Sequence, residues 1–429
     1  MQPTYNWTGS LSQYEKDTVN IGTYTINSGD NLRVWTRLPN GQNEPAGVAY
    51  NDTASLLVKA GITGNYTVGG AGADYADFSS VVSDLNAFGV CGPATFTAVT
   101  GSGPFLEKLD IGEIIGASST NTITLDGNGE TILFDGSSSP YAAVLLNGAD
   151  WITLKNFTLD GTSGSAGFGI LMTNAADNNT ISNNTVLLNT GSTSSLFAGI
   201  GLSNSTTSFT STGGNSGNNN TIIGNTVVGG YYAYSAAGQN TTTFCTGNRF
   251  LNNTATDFYF YGIYSYYQDE IDIVGNNFTK RTSGATTVSG YGIYSIYNSH
   301  FNFTHNKLIS WGTYGIYGSS ANTLSTGATD RSYIANNFIA NNGQVTTNYG
   351  IYLPSTTMLN VDLYNNSIYL TGGSNGRGIY ITGASTSGPS NIVNNAIEID
   401  GTSGYAMYVS SASYVNTVNY NNYYAPNSS

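Results

Sequence analysis

The stretch Tyr261-Gly262-Ile263-Tyr264 decides the fold, because it returns whole at Tyr291–Tyr294, Tyr314–Tyr317 and Tyr349–Tyr352. Worn copies stand at Phe168–Leu171, Ala198–Gly201, Tyr231–Tyr234, Arg377–Tyr380 and Tyr405–Tyr408. Their third positions are Ile170, Ile200, Ala233, Ile263, Ile293, Ile316, Ile351, Ile379 and Met407, at steps of 23 to 35 residues. A second phrase keeps step with the first: an Asn, a variable residue, then an apolar one. Its copies begin at Asn184, Asn225, Asn248, Asn276, Asn306, Asn337, Asn366, Asn395 and Asn422. Repeats of this length built from short strands define a solenoid.

One repeat reads as three strands, Tyr261–Ser265, Ile271–Val274 and Phe278–Lys280. Period-2 alternation in runs too short for a helix argues strand, and places Tyr261 and Ile263 on the inner face with Gly262 and Tyr264 outside. Stacked coils then set each strand beside its copy at about 4.8 Å, as a parallel sheet. The Asn belongs at the bend between the second and third strands. It tolerates left-handed backbone, and its amide can bond the coils above and below; Gly224, Gly247 and Gly275 precede it for the same turn. The expected fold is all-β, a right-handed parallel β-helix of three strands per coil over residues 95–429. The hand rests on the general crossover preference. About eleven coils would span about 50 Å.

Residues 1–60 differ. Asn20–Ile26 and Asn31–Leu38 alternate as strands, with turns at Ser28-Gly29-Asp30 and Pro39-Asn40-Gly41 and Trp7, Tyr24, Val34 and Trp35 as anchors. This predicts a small partial β-sandwich similar to the last strands of an immunoglobulin-like module. Residues 61–94 predict a leading strand, Asn65–Val68, and a capping helix over Asp74–Phe88. In that helix Tyr75, Phe78, Val82, Leu85 and Phe88 share a face, Asp74 caps the start and Gly89 stops the end. Such a helix would lid the first coil and block edge pairing.

Charged residues make up only 9% of the chain, yet 39% hydrophobic content with 32 Tyr and 17 Phe supplies a packed interior rather than disorder. The net charge of −13, with no basic cluster beyond Lys280-Arg281, argues against nucleic acid as a partner. No apolar run reaches the length of a membrane span, and the start shows no signal-peptide pattern. The Asn/Ser/Thr/Gly/Tyr-rich, Lys-poor composition reads as a secreted, cell-surface protein. Asn6, Asn51, Asn156 and Asn302 open Asn-x-Ser/Thr triplets, a weak signal in so Asn/Thr-rich a chain. Cys91 and Cys245 are read as two buried thiols rather than a disulfide, with Cys245 aligned on Ile273.

The run Gly92–Gly127, GPATFTAVTGSGPFLEKLDIGEIIGASSTNTITLDG, with the helix before it and the Asn-Asn-Thr repeats after it, resembles pectin-lyase-like β-helices of large secreted surface proteins and adhesins of gliding bacteria. The resemblance covers residues 63–424. It implies the fold and leaves activity open, because this fold carries polysaccharide lyases, glycoside hydrolases and non-catalytic stalks alike.

Hydrolases of the fold use clustered Asp, and its lyases use Ca²⁺ on converging carboxylates with a basic side chain. The chain has no Asp-Asp pair. The best acidic group is Asp269, Glu270 and Asp272, joined in register by His300 and Arg331: a column Glu270–His300–Arg331, with Asp272 over Asn302. These weak catalytic candidates read better as a surface charge ladder. Asp126-Gly127, Asp135-Gly136, Asp160-Gly161 and Asp400-Gly401 are ordinary turns, with Ca²⁺ sites as the alternative. No cofactor or metal is otherwise implied.

The outward column of Tyr234, Tyr264, Tyr294, Tyr317, Tyr352, Tyr380 and Tyr408 is the most suggestive feature, flanked by Gly262, Gly292, Gly315, Gly350 and Gly378 as a shallow trough. Aromatic rings with hydroxyls suit sugars; stacked strand packing is the competing reading. Outward columns of Tyr and Gly, not Thr, argue against ice binding. The sequence therefore predicts a non-catalytic module of a surface adhesin or stalk, holding polysaccharide or cell-surface glycan at Tyr264, Tyr294, Tyr317, Tyr352 and Tyr380. Further domains of the same protein or neighbouring subunits are the other expected partners. A polysaccharide lyase or glycoside hydrolase is the alternative, and a self-assembling filament subunit a second one.

Overall fold

The structure is a computed structural model. It describes residues 4–12, 15–23, 30–36, 53–58, 60–284, 286, 289–342, 346–371 and 374–427. The chain divides into two compact units, Met1–Ile62 and Thr63–Ser429.

In the first unit, Asp30–Trp35 pairs antiparallel with Thr53–Val58. The expected anchors Trp7, Val34 and Trp35 are 42%, 41% and 47% exposed, so they form no core there. The Trp7 indole instead donates to Asp17 at 2.7 Å. Tyr24 and the turns at Ser28-Gly29 and Pro39-Asn40-Gly41 lie outside the described residues.

The second unit is an all-β parallel solenoid of about twelve turns. Its described strands form three sheets of 13, 12 and 11 members, in which each strand pairs with the copy one turn before and one turn after. The first sheet carries Leu154, Ile181, Ile222, Phe250, Ile273, Phe303, Ile334 and Leu363 as one inward column. The second sheet carries Leu159, Val186, Val227, Ala255, Phe278, Leu308, Ile339, Ile368 and Ile397. All these side chains are buried. Apart from the small Ala255, each contributes about 1.5–3 kcal/mol by leaving water, which is why a three-residue strand suffices.

The bend between these sheets holds a hydrogen-bonded column of asparagines: Asn184, Asn225, Asn253, Asn276, Asn306, Asn337, Asn366, Asn395 and Asn421. Each backbone N–H donates to the next Oδ1 at 2.8–3.1 Å. Each Nδ2 reaches back to a first-sheet carbonyl, as Asn306 does to Ile273 at 2.8 Å. The column starts at the N–H of Phe157, which donates to Asn184 Oδ1. Two assignments change. Asn253 and Asn421 hold the places expected of Asn248 and Asn422. Asn248 instead joins a second column with Asn179, Asn220, Gln268 and Asn298, ahead of the first sheet. Nor do the column asparagines take left-handed backbone. The residue before each does: Asn183, Gly224, Asn252, Gly275, His305, Asn336, Asn365, Asn394 and Tyr420 lie at φ of 53° to 71°. One residue supplies the turn and the next supplies the amide.

The helix α1 spans Phe78–Phe88 and begins later than expected. Asp77 caps it, accepting from Ser80 N in a capping box, while Asp74 accepts from Thr67 at 2.8 Å. Gly89, at φ 62°, ends it. Phe78, Val81, Val82 and Leu85 are its buried face, and the Phe78 ring meets Phe105 and Phe157 edge-on. Cys245 is buried but Cys91 is exposed. Cys245 pairs with Gln268, not Ile273, whose partner is Phe250.

Candidate functional site

The third sheet presents the tyrosines. Its register pairs Tyr261 with Tyr291 and Ile263 with Ile293, and the same step recurs through Tyr314/Ile316, Tyr349/Ile351 and Arg377/Ile379. A Cβ on Gly262 would sit 2.5 Å from Gly292 O and 3.0 Å from the Phe278 ring. Gly292, Gly315, Gly350 and Gly378 face Leu308, Ile339, Ile368 and Ile397 in the same way. The glycines therefore point into the core, not outward, and no glycine trough exists on the surface. Two successive inward residues, Gly262 and Ile263, break the alternation. Tyr261 is thereby turned outward onto the same face as Tyr264, 5.5 Å away.

The result is two columns rather than one. The first is Tyr232, Tyr261, Tyr291, Tyr314 and Tyr349, at 4.9–5.1 Å between ring centres and planes within 17°. The second is Tyr264, Tyr294 and Tyr317, at 5.2 and 5.3 Å, continuing with changed tilt through Tyr352, Tyr380 and Tyr408. Rings of one column stand 70–90° to those of the other at Tyr261–Tyr264, Tyr261–Tyr294 and Tyr291–Tyr294. Rings are thus near-parallel within a column and near-perpendicular between columns, a favourable aromatic arrangement. All of these tyrosines are half-buried. Tyr266, on the same strand as Tyr264, stacks on it at 6.0 Å; burial, then the neighbouring phenols, pushes Tyr314 and Tyr266 up to about 12. Tyr261, Tyr264 and Tyr294 are raised further for the same reasons.

Tyr234 is not part of this wall. It pairs with Ile263, is fully buried, and lies with its hydroxyl 3.0 Å from Thr254 O. Toward the start of the solenoid the same face is mostly aliphatic and covered: Phe209, from the loop Ser203–Asn220, packs with Ala142, Leu145, Phe168, Leu171 and Ala198. The aromatic wall begins where that cover ends, at Tyr232, whose ring lies 6.0 Å from Phe209.

Arg377 stands in the first column between Tyr349 and Tyr405. Its guanidinium lies 4.3 Å from the Tyr380 ring centre, 5.3 Å from Tyr405 and 5.9 Å from Tyr349. The sequence reading passed over this residue and over the whole first column. The departure of Arg377 from the Tyr-Gly-Ile-Tyr phrase was the available signal.

The acidic candidates are brought together differently from expectation. His300 Nδ1 meets Asp269 at 2.5 Å and Nε2 meets Asp330 at 3.0 Å, while Glu270 takes left-handed backbone and is exposed. The column Glu270–His300–Arg331 therefore does not form as a chain of side chains. Burial draws the His300 pKa down, but the hydrogen bonds and charges of Asp269 and Asp330 outweigh it and raise the value. Arg331 is paired in a fork with Asp362. Asp272 does stand beside Asn302, and bonds Arg249 at 3.1 Å. Lys280 and Arg281 are buried along the second sheet, at 2% and 3% exposure. Asp126, Asp135 and Asp160 each accept the N–H two residues on, at 2.9 Å, as turn residues do. Among the described residues, no group of three or more His, Cys, Asp or Glu could hold a metal ion, and no helix is long and apolar enough to cross a membrane. Outward threonine columns do exist, contrary to expectation: Thr124, Thr153, Thr180 and Thr221 on the first sheet, and Thr131, Thr158, Thr185, Thr226 and Thr254 on the second. Stacked β-branched side chains suit a pleated surface.

The described elements define a three-sheeted parallel β-helix with an aromatic outer wall. No protein-family model matches the chain, and no curated protein matches it at a significant level. Solved structures with a similar course include PfbA, a surface adhesin of Streptococcus pneumoniae, at 15% identity over 72% of this chain and 78% of that one, TM-score 0.45. The GH136 lacto-N-biosidase from Eubacterium ramulus is 11% identical over 85% of this chain and 65% of that one, TM-score 0.49. The catalytic domain of a GH87 alpha-1,3-glucanase, in complex with nigerose, is 16% identical over the same shares, TM-score 0.39.

Proposed function

We propose that the solenoid is a non-catalytic module of a secreted surface adhesin or stalk, and that it holds glycan chains along the tyrosine wall. The observation that carries this reading is the change of the third sheet's outer face along the axis. Over the early turns that face is mostly aliphatic, with Phe168 its one ring in the cluster, and is covered by the Phe209 loop. From Tyr261 to Tyr408 it is aromatic, half-buried and lined with hydroxyls. Half-buried rings and hydroxyls in rows suit the apolar faces and hydroxyls of a sugar chain. A continuous apolar surface of that length marks a binding face. Tyr264, Tyr294, Tyr317, Tyr352 and Tyr380 are the proposed contacts, joined by Tyr261, Tyr291 and Tyr314. The acidic group, by contrast, is engaged: Asp269 and Asp330 hold His300, and Asp272 holds Arg249. On this reading α1 lids the first turn.

The test is incubation with plant, algal and bacterial polysaccharides, with and without Ca²⁺, reading bound polymer and released oligosaccharides from the same tubes. We expect binding without products, and at least a fivefold loss of affinity in Tyr294→Ala/Tyr317→Ala at an unchanged fold by circular dichroism. Released oligosaccharides would overturn the reading and direct attention to Asp269, Asp272 and His300.

A further inference from the structure

The geometry points to Arg377 as an anion-recognition point within the tyrosine wall, so that the glycan it holds is an acidic one, carrying carboxylate or sulfate groups. This inference rests on the glycan-binding reading above and narrows it.

Three observations carry it. First, the register places Arg377 where the neighbouring turns have Tyr349 and Tyr405, so a cation replaces a ring in an otherwise aromatic column. Second, the guanidinium is fixed by rings rather than by a carboxylate. It lies within 4.3–5.9 Å of three ring centres, and none of the ion pairs among the described residues includes it. Arg331, by comparison, is locked to Asp362, and Arg249 to Asp272. Third, Nε is buried without a hydrogen-bond partner, the two terminal nitrogens are not among the buried unpartnered atoms, and the residue as a whole is half-buried. The planar group is thus held against aromatic faces without being fully enclosed.

A guanidinium in this state has lost part of its hydration and keeps a preformed fork of donors. It matches a planar carboxylate or a sulfate oxygen pair better than an ammonium does. The rings add a cation–π attraction that positions the charge without neutralising it. A sugar acid or sulfate ester would place its anionic group on the terminal nitrogens, while the tyrosine hydroxyls on either side meet the ring hydroxyls. A neutral glycan would use the tyrosines alone.

Three polymers test this on the full chain: a polyuronate, a sulfated galactan and a neutral β-glucan. Affinities are measured for the wild type, Arg377→Gln, Arg377→Lys and Tyr294→Ala/Tyr317→Ala, with melting curves confirming each fold. We expect one or both anionic polymers to bind about tenfold tighter than the neutral one, as a charge-assisted pair supplies. Which of them does so distinguishes carboxylate from sulfate. Arg377→Gln should remove that preference and leave neutral binding unchanged. Arg377→Lys should keep part of it, since charge remains but the fork is lost. Added salt should weaken anionic binding to the wild type and not to Arg377→Gln. Equal binding of all three polymers, or a preference that survives Arg377→Gln, would overturn the proposal. If the tyrosine pair still weakened binding, the glycan-binding reading would stand alone. Binding of none of the three would overturn both.

Discussion

Asn306 ties three turns together. Its N–H and Nδ2 donate to Asn337 Oδ1, its Nδ2 also to Ile273 O, and its own Oδ1 accepts from Asn276 N and Nδ2. All of this is buried. Asn306→Ala leaves the Asn276 amide and the Ile273 carbonyl facing apolar surroundings, and an unsatisfied buried group costs about 1–3 kcal/mol. The expected loss is therefore about 3 kcal/mol, read as a lower midpoint in urea unfolding. At the preceding kind of position, Asn252→Gly should change stability by only a few tenths of a kcal/mol, because Gly accepts φ of 53° freely. A loss under 1 kcal/mol for Asn306→Ala would show that the column is ornament to the fold. The recurrence of this Asn was legible in the chain; its member at each turn was not always so. Asn248 and Asn253 sit five residues apart in one turn, and both satisfy the apolar-after-next rule loosely. Only their hydrogen bonds assign them to two columns.

The third sheet acts as a unit because its rings share their burial. A group whose folded pKa is raised stabilises the fold below its ordinary pKa and loses that contribution as pH rises through the folded value. For the tyrosine wall this means full stability up to about pH 10 and progressive loss above it. A phenolate absorbance titration should show a component delayed to about 12, where Tyr266 and Tyr314 lie. The same chain in urea should show none. Coincident native and unfolded titrations would mean that the rings are not packed as described. The alternation within Tyr-Gly-Ile-Tyr was readable, but it misassigned Tyr261. Period 2 assumes that each residue takes its own side, and the contact of Gly262 with Phe278 and Gly292 O shows two in succession facing inward. The same element explains Tyr234. Ala233 takes the glycine place and Tyr234 the isoleucine place, packed on Phe250 and Phe278.

At the scale of the molecule, each turn rests on its neighbours. The strand Val415–Asn419 pairs with Ser390–Val393, and Asn422–Tyr424 with Ala396–Asp400. Stability in such an array is close to a sum over turns and their contacts. A chain ended at residue 403 should keep its β-sheet circular dichroism, reduced about in proportion, and still melt as a folded protein. A midpoint lowered by a few degrees is expected, since Asn395 loses the acceptor Asn421. Loss of all structure would show that the last turn organises the rest.

Repetition is a local property of the chain, so the sequence by itself determined the solenoid, its three short strands per turn, the inward aliphatic columns and the asparagine at the bend. Each of these follows from spacing and side-chain character within one repeat. What only the tertiary structure decided is which way a residue faces when two neighbours crowd inward, and which groups meet across turns. The outward face of Tyr261, the burial of Tyr234, the clasp of His300 by Asp269 and Asp330, and the seat of Arg377 between Tyr349 and Tyr405 all depend on contacts between neighbouring turns. Such contacts are fixed by the stacking of whole turns at about 4.8 Å, and no reading of one repeat contains them.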